Sequence, residues 1–380
     1  MSPARSSTRS IPLGAPRRRP LASPLVTALG WWLLAPAAGC ALAQAPAEPS
    51  STDGGPSIPT GPTDEPPPAP TSPWVLTHDL AGAALLDAFD VQAIADPTHG
   101  TVTYVDAARA RSTGLLSVDP ATGHARLAVE SSRIATGSGR ESVRIRSKDS
   151  FHEGLFVIDV HHLPEGNAVW PAFWMVGPSP WPTGGEIDII EGVNDQPRDA
   201  STLHTTDGCS MASVDAAATM TGRYGERDCN AGDKATGMPY IGCSTTGAHG
   251  SFGPALNAGG GGVFALRWTA EAIDVWFWPR VAIPPDVTTG SGASAQPDPS
   301  SWGLPMSHFE LGAACDPAHF APQRMVLNTT LCGDWAGAVF VGPNGQTGYA
   351  ACRDYVLNNP TAFARAYWDI ASLRAYTFQP

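Results

Sequence analysis

The chain has 380 residues, 40 of them Gly and 37 Pro, with 12 Trp and only 15% charged side chains. This is the profile of a loop-rich extracellular β protein, not a helical cytosolic enzyme. A formal charge of −12 excludes nucleic acid as a partner, because that binding needs Lys and Arg to meet phosphate.

Residues 1–43 read as a targeting segment. Arg5, Arg9 and Arg17-Arg18-Arg19 precede an apolar stretch from Leu21 to Ala43 without a single acid, and Ala41-Leu42-Ala43 offers a small-residue cleavage site. The rival is an uncleaved signal anchor, a possible membrane anchor at the N-terminus, which Pro24 and Pro36 disfavour. A lipoprotein reading at Ala38-Gly39-Cys40 lacks the usual Leu at Ala37. Residues 44–73 hold ten prolines among Ser, Thr, Gly and Ala. Such a stretch cannot bury a core and is expected to be a spacer.

From Trp74 to the end, short apolar runs alternate with Gly-, Asp- and Ser-rich turns, and no 3.6-residue period is sustained. Thr101–Val105 and Ser142–Arg146 alternate as half-buried strands, and Leu155–Val160 reads as a buried one. His161-His162 at the end of that run reads as a solvated pair.

Three acids come next, in Gly185-Glu186-Ile187-Asp188-Ile189-Ile190-Glu191. On a strand, Glu186 and Asp188 share one face while Ile187 and Ile189 pack behind it. Glu191 lies an odd step away and would point to the wrong side. An extra residue at Ile189-Ile190, a β-bulge, returns it to the acid face. Retaining glycoside hydrolysis needs such acids, a nucleophile and a proton donor roughly 5–5.5 Å apart. Like charges this close also separate their pKa values. An acidic edge strand that only deters aggregation is the alternative for these residues.

Six cysteines follow residue 43, in two groups of three: Cys209, Cys229, Cys243 and Cys315, Cys332, Cys352. An even number in a secreted chain suggests disulfides, and if all pair, at least one bridge must join the groups. No C-x-x-C occurs, which argues against zinc. Val263–Trp268 and Ile273–Trp278 flank a polar turn and read as a hairpin. Helix is expected only in short pieces, as around Pro360–Trp368. Many short strands in one domain predict an all-β, two-sheet sandwich.

The acids sit among Trp170-Pro171-Ala172-Phe173-Trp174-Met175, Trp181-Pro182-Thr183-Gly184-Gly185, Gly192-Val193-Asn194 and Thr202-Leu203-His204-Thr205. With these flanks the sequence resembles glycoside hydrolase family 16, specifically fungal endo-1,3(4)-β-glucanases of laminarinase type. The resemblance extends over roughly 74–380, through Asp96-Pro97-Thr98-His99-Gly100, Ser142-Val143-Arg144-Ile145, Cys332-Gly333-Asp334-Trp335-Ala336-Gly337 and Asn358-Asn359-Pro360.

That resemblance implies a concanavalin-like β-jelly roll with a concave substrate cleft. It implies Glu186 as nucleophile, Glu191 as general acid/base, and Asp188 between them as a tuning partner. It also implies a secreted or cell-surface monomer that acts on β-glucan polysaccharide or oligosaccharide without metal or cofactor. Trp174, Trp181, His204, Trp335, Arg144 and Asn194 are the expected substrate contacts, since Trp offers sugars a flat face and one N–H. Trp268, Trp276 and Trp368 are expected in the core. The alternatives are a cell-wall glucan transglycosylase with the same chemistry, or a non-catalytic glucan-binding lectin, which three clustered acids disfavour. Asn328-Thr329-Thr330 is a glycosylation sequon, but it falls in what reads as a buried strand and is not expected to be used.

Overall fold

The computed structural model describes residues 72–232, 241–287 and 296–379. The targeting segment and nearly all of the Pro-rich spacer lie outside them. The strands β1 (Trp74–Leu80), β2 (Phe89–Val91), β3 (Val102–Tyr104), β4 (Leu116–Val118), β5 (Ala125–Ala128) and β6 (Arg140–Ser142) come first. β7 (Arg144–Ser147), β8 (Gly154–His162), β9 (Val169–Val176), β10 (Glu186–Glu191), β11 (Ala200–His204) and β12 (Arg223–Tyr224) follow. β13 (Cys243–Thr246), β14 (Gly262–Trp268), β15 (Ala272–Pro279), β16 (Ser307–Glu310), β17 (Arg324–Leu331) and β18 (Tyr367–Phe378) complete the series.

Two eight-stranded antiparallel sheets carry the fold. One runs β12-β13-β11-β10-β9-β17-β7-β2 and holds the acids near its middle. The other runs β16-β15-β14-β8-β18-β5-β4, with β1 added along β18. The inward side chains alternate with outward ones and meet between the sheets. Phe173, Ile187, Ile190 and Leu327 from the acid sheet pack with Ile158, Leu266, Val275 and Leu373 from its partner. Each such side chain contributes about 1.5–3 kcal/mol when removed from water. Trp268, Trp276 and Trp368 are all buried, as expected. Trp368 crosses between the sheets, its indole N–H reaching Thr329 Oγ1 at 3.2 Å.

The partner sheet is also covered on its outer face, where Trp74, Leu155, Val157, Val263, Trp276 and Trp302 form a second apolar cluster. That explains why β8 is buried along almost its whole length. The expected hairpin is β14–β15, paired in register from Gly262↔Pro279 to Trp268↔Ile273.

Three disulfides close the loops: Cys209–Cys315, Cys229–Cys243 and Cys332–Cys352. One of them joins the two groups of cysteines, as pairing required. Such bridges fit an oxidising compartment. Among the described residues, no helix is long and apolar enough to cross a membrane.

Three expectations are corrected. Ser142–Arg146 is not one strand: it divides at Val143, where β6 pairs with β3 while β7 joins the acid sheet. Among the described residues, the longest helix is Gly348–Asn358, upstream of the expected Pro360–Trp368. There Pro360 opens only a single 3-10 turn and Tyr367-Trp368 already belong to β18. The helix was hidden because it buries just Cys352 and Val356, and its disulfide to Cys332 anchors one of those two. His162 is not solvated either. It is buried, its ring is stacked on Tyr367 with centroids 3.9 Å apart, and its Nδ1 lies 2.9 Å from the Tyr367 carbonyl oxygen.

Candidate active site

The site is built on β10, between β9 and β11. Its entry is fixed by Gly185 at φ 73°, where an added Cβ would come within 2.6 Å of the Phe320 ring and 2.7 Å of the His319 carbonyl. Only glycine fits both demands. From Glu186 to Asp188 the strand is regular, paired as Glu186↔His204 and Asp188↔Thr202 with β11 and as Asp188↔Trp174 with β9. The register to β9 then slips between Asp188 and Ile190. Ile189 and Ile190 both turn into the core, and Glu191 emerges beside Asp188 and Glu186. The bulge read from the odd spacing is therefore present.

Each end of the acid row accepts one indole N–H. Trp181 Nε1 donates to Glu186 Oε2 at 2.9 Å, and Trp170 Nε1 donates to Glu191 Oε1 at 2.8 Å. His204 closes the near side, with Nε2 at 3.2 Å from Asp188 Oδ2 and 3.8 Å from Glu186 Oε1. Trp335 stands edge-on against Trp170, centroids 5.7 Å apart. The Trp181 ring tilts toward that of His204 at 5.8 Å.

Behind this row lies a polar floor. Trp174 donates through Nε1 to Asn328 Oδ1 at 2.8 Å, and Asn328 Nδ2 donates to the Tyr104 hydroxyl at 3.1 Å. The Arg144 guanidinium sits 4.9 Å above the Trp174 ring, with Nε donating to Gln92 Oε1 at 3.0 Å. Burial lowers the Arg144 pKa, opposed by Tyr104, Asp96 and Glu186.

Burial pushes all three acids up to about 8, and the Asp188 charge adds to the rise at Glu186 and Glu191. His204 and the Trp181 N–H oppose the rise at Glu186, and the Trp170 N–H opposes it at Glu191. Such a row holds protons at neutral pH and can offer a carboxylate and a carboxylic acid side by side. One donor atom each from Glu186, Asp188 and His204 lies within 4.8 Å of the others, the spacing of a cation-binding set. The His204 ring nitrogen beside Asp188 Oδ2 at 3.2 Å meets that oxygen without an ion.

The structure thus gathers Glu186, Asp188, Glu191, Trp181 and His204 into one cluster. It sets Trp174 and Arg144 in the floor and Trp335 behind Trp170. Asn194 departs from the expectation. Its φ is 56°, its Oδ1 accepts the Ala168 N–H at 2.7 Å, and its own N–H goes to the Val169 carbonyl. It latches the exit of β10 to the entry of β9.

Two members of the cluster were missed in the sequence, Trp170 and Asn328. Trp170 lies four strand steps from Trp174, and even spacing on a strand means the same face. Asn328 was visible only as a sequon. In the middle of β17 it is 6% exposed and bonded at both ends of its amide, so the expectation that the sequon is not used stands.

Residues 89–376 match the family described as "XgeA-like, catalytic GH16 domain". A probable endo-1,3(4)-β-glucanase of Aspergillus niger is 40% identical over 317 residues, covering 81% of this chain but 41% of that protein. The chain therefore spans less than half the length of that relative. Among solved structures, laminarinase 16A of Phanerochaete chrysosporium, with β-glucans in both donor and acceptor sites, is 40% identical with a TM-score of 0.73. That match covers 80% of this chain and 99% of that one. An elongating family 16 β-1,3-glucosyltransferase is 39% identical with a TM-score of 0.72, covering 80% and 100%. The two sheets are those of the family's β-jelly-roll sandwich.

Proposed function

The chain belongs to glycoside hydrolase family 16, and from that premise we propose that it is a retaining endo-β-glucanase cutting internal bonds of β-1,3- or mixed β-1,3/1,4-glucans. The observation that carries this reading is the row Glu186-Asp188-Glu191, brought to one face by the bulge, with an indole N–H on each outer acid.

Glu186 is the nucleophile. Its carboxylate attacks the anomeric carbon and forms a glycosyl ester as the bond to the leaving oxygen breaks, and Glu191 gives that oxygen its proton. Water then attacks the same carbon, Glu191 takes the water's proton, and Glu186 departs as carboxylate. The charge is assigned to Glu186 as the first acid of the family motif; His204 and an indole N–H favour the ionised form of Glu186 and of Glu191 alike. Asp188, the most buried of the three, raises both neighbours when charged, so keeping its proton relieves them of that repulsion. Trp181, Trp170 and Trp335 offer faces and edges for sugar rings, and Trp174, Arg144 and Asn328 hold the floor. Asn194 acts through the turn that it latches. No metal takes part in these steps.

Residues 1–43 are read as a cleaved signal, 44–73 as a spacer, and 74–380 as the catalytic domain of a secreted or surface-held monomer. The three disulfides support that placement. Transglycosylation is the second reading, favoured by the likeness to an elongating glucosyltransferase. It differs only in whether sugar or water attacks the ester.

The test is to incubate the full chain and Glu186→Ser with laminarin and barley mixed-linkage glucan and to follow products by mass. Short oligosaccharides from the wild type alone support the hydrolase. Products longer than the donor move the reading to transglycosylation. Binding without cleavage leaves a lectin.

A further inference from the structure

The bulge that delivers Glu191 also breaks the ladder on its other side. Pairing of β10 with β11 ends at Asp188↔Thr202, so the main chain beyond loses its regular partner. Two side chains at the start of β11 take over. Asp199 Oδ1 accepts the Glu191 N–H at 3.0 Å, and Ser201 Oγ donates to the Ile189 carbonyl at 3.3 Å. Asp199 is 0% exposed, a costly place for a carboxyl unless it is bonded. It is also held from every side independently of Glu191. Its N–H goes to Ser251 Oγ at 2.9 Å, its carbonyl accepts the Gly247 N–H at 2.9 Å, and its Oδ2 lies 3.3 Å from the same Ser201 hydroxyl.

From this we propose that Asp199 is a positioning residue for Glu191. It stands in for the strand partner that the bulge removes, and so fixes the side of the sheet on which Glu191 emerges. Without that acceptor, the Glu191 N–H has no partner on the β11 side, and the local chain is loosened where the geometry of proton transfer is set. The proposal rests on the reading of Glu191 as acid/base.

The test compares Asp199→Ala, which removes the acceptor, with Asp199→Asn, whose amide oxygen keeps it. Asp199→Ala is expected to lose about 10–100-fold in kcat with KM changed less than about threefold. Hydrogen exchange over 186–192 should rise at least about tenfold. Asp199→Asn should stay within about fivefold of wild type by both measures. In a Glu191→Ala background, Asp199→Ala should cost nothing further, because both changes then act through one group. A wild-type kcat in Asp199→Ala, or a full extra loss in the Glu191→Ala background, would overturn the proposal. Should Asp199→Ala fail to fold, Ser251→Ala loosens Asp199 without removing its carboxyl and is expected to shift kcat and exchange in the same direction, less steeply. A wild type inactive on every glucan would refute the enzyme reading alone, since the exchange contrast between the Ala and Asn variants would still stand.

Discussion

The two ends of β10 solve the same problem by different means. At the Glu186 end, the ladder to β11 is intact and His204 sits directly opposite in register. The indole donor Trp181 comes from the β9–β10 loop, at 42% exposure. At the Glu191 end, the pairing with β9 continues at Glu191↔Ala172, but the ladder to β11 is broken and side chains replace it. The donor Trp170 comes from a neighbouring strand and is backed by Trp335. The loop carrying Trp335 is tied by Cys332–Cys352 to the helix behind it. One acid is held by main chain and served by an exposed side chain, while the other is held by side chains and served by a buttressed one. The comparison teaches that a bulge can re-aim a residue only if the partners it frees are found elsewhere.

The largest expected effects separate the two acids by role. Glu186→Ala should abolish turnover, whereas Glu191→Ala should lose about 10²–10⁴-fold. On an aryl β-glucoside, whose leaving group needs no proton, added azide should restore turnover in the Glu191 variant by attacking the glycosyl ester without needing a base, giving a β-glycosyl azide. In Glu186→Ala azide can only displace the leaving group directly, giving the α-azide, so the same anomer from both variants would mean that the two ends do not differ in role.

The indole donors sharpen the contrast at the next scale. Each N–H favours the ionised form of its acid, so its loss raises that acid's pKa. Trp181→Phe should therefore move the acidic limb of the kcat/KM profile to higher pH, by up to about one unit, because the nucleophile must be ionised. Trp170→Phe should move the alkaline limb to higher pH by a similar amount, because the donor must be protonated. A shift of the same limb in both variants would erase the distinction between the ends.

The smallest effect is on stability. Glu186 in the fold is pushed up to about 8, while an unfolded Glu ionises near about 4. Between those values the folded chain holds more protons, so stability falls as pH rises from about 4 to about 8 and is level above. Glu186→Gln removes that penalty. It should be about 1–2 kcal/mol more stable than wild type at pH 8.5 and close to it at pH 4, as read by urea unfolding. Equal stability at both values would mean that the acid carries no penalty in the fold.

Much of the acid face was legible because strand geometry is local. Alternation placed Glu186 with Asp188, and the odd step to Glu191 demanded one extra residue, which the register slip supplies. The buried Trp268, Trp276 and Trp368 were readable from their apolar neighbours in the same strands. Asp199 gave no such signal, because its acceptor faces a backbone group eight residues away across a turn. Asn194 showed its spacing but not the carbonyl and N–H it would latch. Trp170 could have been found from its even step to Trp174, while Asn328 needed the β17–β9 register to come under the Trp174 indole.

By itself, then, the sequence determined the strand-rich class, the acid row and the need for a bulge. All three follow from the two-residue period of a single strand and from side-chain chemistry. Which groups hold that row in place was decided only in three dimensions. Hydrogen-bond partners such as Asp199 to Glu191, Asn328 to Trp174 and Trp170 to Glu191 depend on how neighbouring strands register, and Asn328 and Trp174 meet across 154 residues of chain. Burial, which lifts the three carboxyls to about 8, exists only once the two sheets and their loops have closed around them.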